Sequence, residues 1–174
     1  MKKKKVIENL WAPWRMEYIL GFQDGEKSAC IFCERFPQND DTKNLILFRE
    51  QHCFVIMNRF PYNSGHLMVV PYRHTGNLQD LTAEESLELM RVLQICQRVL
   101  KRVMKPQGYN IGMNLERVGG AGVEDHLHWH MVPRWKGDTN FMPVIGDTKV
   151  ISEALDKTYL RLKAAFERFK KEKK

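Results

Sequence analysis

Seven residues late in the chain, His126-Leu127-His128-Trp129-His130-Met131-Val132, alternate imidazoles with apolar side chains. On a helix, residues at i, i+2 and i+4 scatter around the axis, whereas a strand sends alternate side chains to opposite faces. The spacing therefore predicts a half-buried strand, with His126, His128 and His130 on one face and Leu127, Trp129 and Met131 on the core. At about 3.3 Å per residue the outer two histidines stand roughly 13 Å apart. Ligand nitrogens about 2.0–2.1 Å from one zinc cannot straddle that gap. A row of nitrogen donors and nucleophiles suits an extended anion, such as a phosphate chain.

Two further clusters carry chemistry. Gly119-Gly120-Ala121-Gly122 lies just upstream, and its small residues allow backbone N–H groups to approach phosphate oxygens, which makes Gly120 and Gly122 candidates for that contact. Cys30-Ile31-Phe32-Cys33 lets two thiolates reach one metal ion, although the same spacing also fits a redox pair. Cys53 lies in an apolar run and Cys96 in a helical one, so both read as core fillers.

The 174 residues, 43% of them apolar, suffice for a single domain over 1–174 with a sizeable core and no disulfide framework. No apolar run approaches the roughly 18–20 residues of a membrane span. Met1 to Lys5 lead into Val6-Ile7-Glu8-Asn9 rather than the apolar stretch of a signal peptide, so a cytoplasmic protein is expected. The net charge of +7 resides in the ends: residues 2–5 carry four positive charges, residues 170–174 a net three, and 6–169 sum to zero. Two solvated, frayed basic tails are the expected reading, and a nucleic-acid-binding face on the fold is not.

Asn44–Arg49, Cys53–Met57, His66–Val70, Tyr109–Asn114 and His126–Val132 read as strands, the third ended by Pro71. Thr82 and Glu85 have capping-box spacing, and Leu89, Leu93, Cys96, Leu100 and Val103 then make one apolar face of a long helix stopped by Pro106 and Gly108. Ile151–Phe169 reads as a second helix, with Leu155, Leu162, Phe166 and Phe169 inward. The sum is an α+β domain: a mainly antiparallel five-stranded sheet, one long helix and a C-terminal helix.

His126 to Val132 matches at every position the motif His-φ-His-φ-His-φ-φ of the histidine triad (HIT) family. The segment Asn58 to His74 resembles the family's other hallmark, Asn-xx-Pro-xxx-Gly-His followed by an apolar strand and Pro-xx-His. Leu10-Trp11-Ala12-Pro13-Trp14-Arg15, Pro133-Arg134-Trp135 and Gly137 to Phe141 further resemble the bacterial branch that includes diadenosine tetraphosphate phosphorylases. The resemblance implies a HIT-like fold and a nucleotidyl hydrolase or transferase acting at the α-phosphate of a dinucleoside polyphosphate, with water or inorganic phosphate as acceptor.

By motif position His128 would be the nucleophile, and His130 and His66 would bond phosphate oxygens or the leaving group. Asn58 would contact the ribose, and Asn114 the phosphates unless it is a structural amide at a strand end. The resemblance also implies a closed Cys30, Cys33, His74, His126 set around a structural zinc, with no organic cofactor, and a homodimer. His52 could stand in for His74. In one place the chain departs from many relatives: Glu124 and Asp125 stand where Gln-Ser or Gln-Thr often precedes the triad, which leaves the proton donor to the leaving group unassigned. Trp11, Trp14 and Arg15 read as packing or interface residues. A nucleoside phosphoramidase using the same covalent step, a non-catalytic nucleotide-binding module and a triad-zinc metallohydrolase remain as alternatives.

Overall fold

A computed structural model describes residues 30–139 and 150–172 of the chain. Trp11, Trp14, Arg15, the lysine run 2–5 and Phe141 lie outside the described residues. The chain divides into two compact units, 28–138 with 151–174, and 1–27 with 139–150; the fold and the site lie in the first.

In chain order the elements are α1 (Ile31–Arg35), α2 (Asp41–Asn44), β1 (Ile46–Arg49), β2 (Cys53–Met57), β3 (Leu67–Pro71), α3 (Ala83–Met104), β4 (Gly108–Met113), β5 (Trp129–Arg134) and α4 (Leu155–Glu172). The strands form one antiparallel sheet in the order β1-β2-β3-β5-β4. β2 and β3 are buried at every position, which is why they read as continuous apolar runs. Helix α3 packs on β2, β3 and β5, and α4 packs on α3 and β1. The core includes Cys53 and Cys96 along with Phe54, Met57, Leu100, Met131, Leu162 and Phe166.

The capping box at α3 forms: the Thr82 hydroxyl accepts from the Glu85 N–H (3.2 Å), and the Glu85 carboxylate accepts from the Thr82 N–H (2.9 Å). Arg73, just after β3, donates to the same carboxylate at 2.9 Å and so ties the end of the strand to the start of the helix. Glu88, one turn on, accepts from the His52 and Cys53 backbone N–H groups, fixing the β1–β2 turn against the helix.

Several boundaries differ from the sequence expectation: β3 and β4 are each shifted by one residue, to Leu67–Pro71 and Gly108–Met113, and β5 runs on to Arg134. The first strand begins at Ile46 instead of Asn44, because Asp40 caps the turn of α2 by accepting from the Lys43 N–H, and the Asn44 amide turns back to the Arg35 carbonyl. The last strand begins at Trp129 instead of His126. Pro71, at the end of β3, has no N–H to offer, and Leu127 bonds instead to the Thr75 carbonyl at 2.7 Å. The C-terminal helix starts at Leu155, after Glu153 and Ala154 have accepted from the Thr158 hydroxyl. It then runs to Glu172, so Lys170 and Lys171, read as part of a frayed tail, form the helix's last turn, where positive charge complements its dipole.

Asp41 joins three elements: its carboxylate accepts from Arg49 on β1 at 2.8 Å and from Lys163 on α4 at 2.9 Å. Burial pushes its carboxyl upward, but the two cations outweigh that and hold it below the ordinary carboxylate value. A depressed folded-state pKa stabilises the fold fully above the unfolded value, about 3.9, and the contribution fades as pH falls through the folded value. Wild type should therefore exceed Asp41→Asn in urea midpoint near neutrality and converge on it as the pH falls well below 3.9; a constant gap across that range would show that the charge contributes nothing.

Candidate active site and metal centre

The chain from Asn58 to His66 folds into a tight turn leading into β3. The Asn58 N–H donates to the His66 carbonyl (3.1 Å), the His66 N–H to the Asn63 carbonyl (3.2 Å), and the Phe60 N–H to the Asn58 side-chain oxygen (2.9 Å). Asn63, buried beneath the turn, donates to the Pro133 carbonyl and to Asp138, locking it to the end of β5. Since Met68 pairs with His130 across the sheet, His66 reaches the same neighbourhood, with its Nε2 2.9 Å from His130 Nδ1.

Backbone partners decide the proton position on each ring, because a carbonyl only accepts and an N–H only donates. His128 Nδ1 lies 2.8 Å from the His126 carbonyl and must carry the proton, which leaves a lone pair on Nε2. The Tyr62 N–H donates to His66 Nδ1 at 3.1 Å, so the His66 proton sits on Nε2 and points to His130 Nδ1. His130 then carries its own proton on Nε2. His126 Nε2, 2.9 Å from the Pro71 carbonyl, is the donor there and turns a bare Nδ1 outward. The outcome is one nucleophilic nitrogen, on His128, next to a two-ring relay that ends in a donor, with the His128 and His130 ring centroids 4.9 Å apart. Burial pushes the His128 pKa below its ordinary value against the opposing effect of its carbonyl bond, which keeps the ring neutral at pH 7.

The bare Nδ1 of His126 faces Cys30 Sγ (3.2 Å), Cys33 Sγ (3.5 Å) and His74 Nδ1 (3.2 Å), and Cys33 Sγ lies 3.3 Å from His74 Nδ1. All four donor atoms lie within 4.8 Å of one another. A tetrahedron with metal–sulfur bonds of about 2.3 Å and metal–nitrogen bonds of about 2.0–2.1 Å has edges of roughly 3.3–3.8 Å, so the set fits one ion. His52 has no place in it. Burial, and then the neighbouring Cys30 thiol, push the Cys33 thiol up to about 11, a direction that a bound cation reverses. Gly76 makes the arrangement possible: a Cβ there would meet the Glu124 carbonyl oxygen at 2.5 Å, so only glycine lets the loop carrying His74 lie against the segment leading to His126.

The glycine run behaves differently from expectation. Gly120, at φ +89°, gives its N–H to the Arg117 carbonyl at 3.0 Å, and Asn114 donates its amide to the Gly120 carbonyl at 3.2 Å. The Gly120 N–H thus closes a turn on itself, and Gly122 is exposed beyond it. Two residues at the site were not singled out from sequence. The Tyr62 ring lies over His66 (centroids 4.6 Å apart) and His130 (5.7 Å), and Phe32, buried inside the CxxC, touches both His126 and His128. Both lie within motifs that were read only for their polar members. Long-range proton–nitrogen spectra at neutral pH should show His128 as the Nδ1–H form and His66 as the Nε2–H form; a His128 proton on Nε2 would abolish the nucleophilic lone pair.

The chain is similar to known proteins along most of its length. The HIT domain profile matches residues 39–137. AP-4-A phosphorylase of Mycobacterium tuberculosis is 44% identical over 158 residues, which cover 87% of this chain and 80% of the relative. A bis(5'-adenosyl)-triphosphatase of Saccharomyces cerevisiae is 33% identical over 92 residues, 52% of this chain and 44% of its own. A zinc-bound histidine triad protein of Mycobacterium smegmatis superposes with a TM-score of 0.66 at 23% identity, covering 83% of this chain and 97% of that one. With the triad on an extended segment beside β3, and this likeness along most of its length, the chain belongs to the histidine triad (HIT) family.

Proposed function

We propose that the protein is a HIT-type nucleotidyl-transferring enzyme that cleaves dinucleoside polyphosphates of the diadenosine tetraphosphate kind at the α-phosphorus. The observation that carries this reading is the His128 Nδ1–H bond to the His126 carbonyl, which presents a neutral, uncommitted Nε2 as nucleophile. The likeness to AP-4-A phosphorylase supplies the substrate class and favours inorganic phosphate as acceptor.

In the first step His128 Nε2 bonds to the α-phosphorus while the bridging P–O bond breaks. Diadenosine tetraphosphate thus yields adenylyl-His128 and ATP. Positive charge that develops on the ring is stabilised through the Nδ1–H by the His126 carbonyl. The departing polyphosphate oxygen is largely anionic near neutral pH, since such phosphate groups titrate at about 6. The absence of a hydroxyl or amide at Glu124-Asp125 is then no obstacle. In the second step a phosphate oxygen attacks the same phosphorus, the P–N bond breaks, and ADP leaves. His130 Nε2–H, held by the His66 relay, serves the phosphoryl oxygens. Asn58 takes the ribose, Asn114 holds the turn through Gly120, and Gly122, exposed beyond that turn, is the member of the glycine run that would offer its N–H to phosphate.

Cys30, Cys33, His74 and His126 would hold a structural zinc; a closed Cys₂His₂ set supplies folding stability and no activated water. The protein is further read as a cytoplasmic homodimer. No helix among the described residues is long and apolar enough to cross a membrane.

With diadenosine tetraphosphate as substrate, ADP should appear only when inorganic phosphate is added; AMP and ATP in its absence would make water the acceptor. His128→Ala should abolish both the adduct, read by rapid-quench mass measurement, and turnover, while nucleotide affinity stays within about tenfold. Full activity in that variant overturns the assignment. Cys33→Ser should lose most of the roughly stoichiometric zinc of wild type by atomic absorption and melt several degrees earlier. Zinc content equal to wild type would remove Cys33 from the set.

A further inference from the structure

Besides the His128 bond to the His126 carbonyl, the metal-ligand set and the nucleophile are bridged by a side chain with no polar chemistry of its own. Phe32 lies between the two cysteines in sequence and is 1% exposed. Its ring stands edge-on to His126 (centroids 5.2 Å apart, 67° between planes) and tilted against His128 (5.2 Å, 48°). The backbone fixes it as well: α1 starts with the Glu34 N–H on the Cys30 carbonyl at 3.0 Å and ends with the Phe36 N–H on the Phe32 carbonyl. Any movement of the cysteine pair therefore carries Phe32 with it.

His128 is otherwise held by few directional contacts. Its one hydrogen bond among the described residues, from Nδ1 to the His126 carbonyl, leaves the ring able to swing about that axis. On the other side stands the His130 ring, at 79° to it. A flat, rigid ring against that face removes the swing.

We propose that Phe32 is a positioning residue through which the Cys30/Cys33/His74/His126 set, when it holds a metal, fixes the His128 imidazole in its attacking pose. The inference rests on the reading of His128 as nucleophile, and it extends the metal set's role from holding the fold to orienting the reacting ring. Two rings of the relay, His66 and His130, are braced by Tyr62 instead and lie outside this coupling.

The test uses the full-length, zinc-loaded protein and Phe32→Leu, which keeps much of the apolar volume but loses the flat face; Phe32→Tyr serves as the ring-preserving control. Phe32→Leu should keep its zinc content and leave nucleotide affinity within about twofold, while the single-turnover rate of adduct formation falls about tenfold or more. Its His128 Nδ1–H resonance should broaden or vanish while those of His66 and His130 persist, and Phe32→Tyr should restore both readouts. Stripping zinc from the wild type should broaden the same His128 resonance, and stripping it from Phe32→Leu should add little.

A sharp His128 signal in folded Phe32→Leu, or a wild-type signal indifferent to zinc removal, overturns the proposal. If wild type forms no adduct at all, the nucleophile assignment fails by itself, and the His128 resonance still decides whether Phe32 couples the ring to the metal set.

Discussion

A neutral imidazole owns one proton and one lone pair, and whatever bonds the first decides where the second points. In this protein the deciding partners are main-chain groups: the carbonyls of Pro71 and His126 and the N–H of Tyr62. Backbone atoms at the rim of a sheet have little freedom, so the chemistry at His126, His128 and His66 is set by the course of the chain. Side-chain substitutions elsewhere can loosen these rings, but they cannot readily reverse their tautomers.

The two halves of the triad therefore do different work. His126, buried and pushed down to about 4 by desolvation, stays unprotonated at pH 7 and gives its free nitrogen to the cysteine side. His128 keeps a bare Nε2, whereas His130, whose Nδ1 accepts from His66, keeps its proton on Nε2. The structure draws His126 into the Cys30, Cys33 and His74 cluster, whose donor atoms could hold one metal ion, and pairs His130 with His66. The bulk of the fold serves this division. β3 supplies the rail along which both motifs run, and α3 clamps its end through the Arg73–Glu85 contact.

Much of this was legible in the residues because the deciding pattern is local. Period-two alternation specified the histidine face, Thr82 with Glu85 marked the start of the long helix, and continuous apolar runs marked the buried strands. What stayed hidden depends on partners distant in sequence. That Pro71 would end the pairing before His126, that Asp40 would turn Asn44 away from the strand, and that the Gly120 N–H would be spent on Arg117 are each decided by a contact outside the motif. Phe32 and Tyr62 were hidden for another reason: an aromatic residue within a polar motif reads as filler until its ring is seen against an imidazole. Asn114 stood between a ligand contact and a structural amide, and its bond to Gly120 gives it a structural one.

The His66–His130 contact joins residues 64 positions apart. Closing so long a loop is entropically costly, and such pairings form late compared with helices and neighbouring hairpins. A chain emerging from the ribosome can complete β1, β2 and β3 with no reactive ring in place, since β5 has yet to be made. The His66–His130 pair thus forms only once the last strand of the sheet has been made.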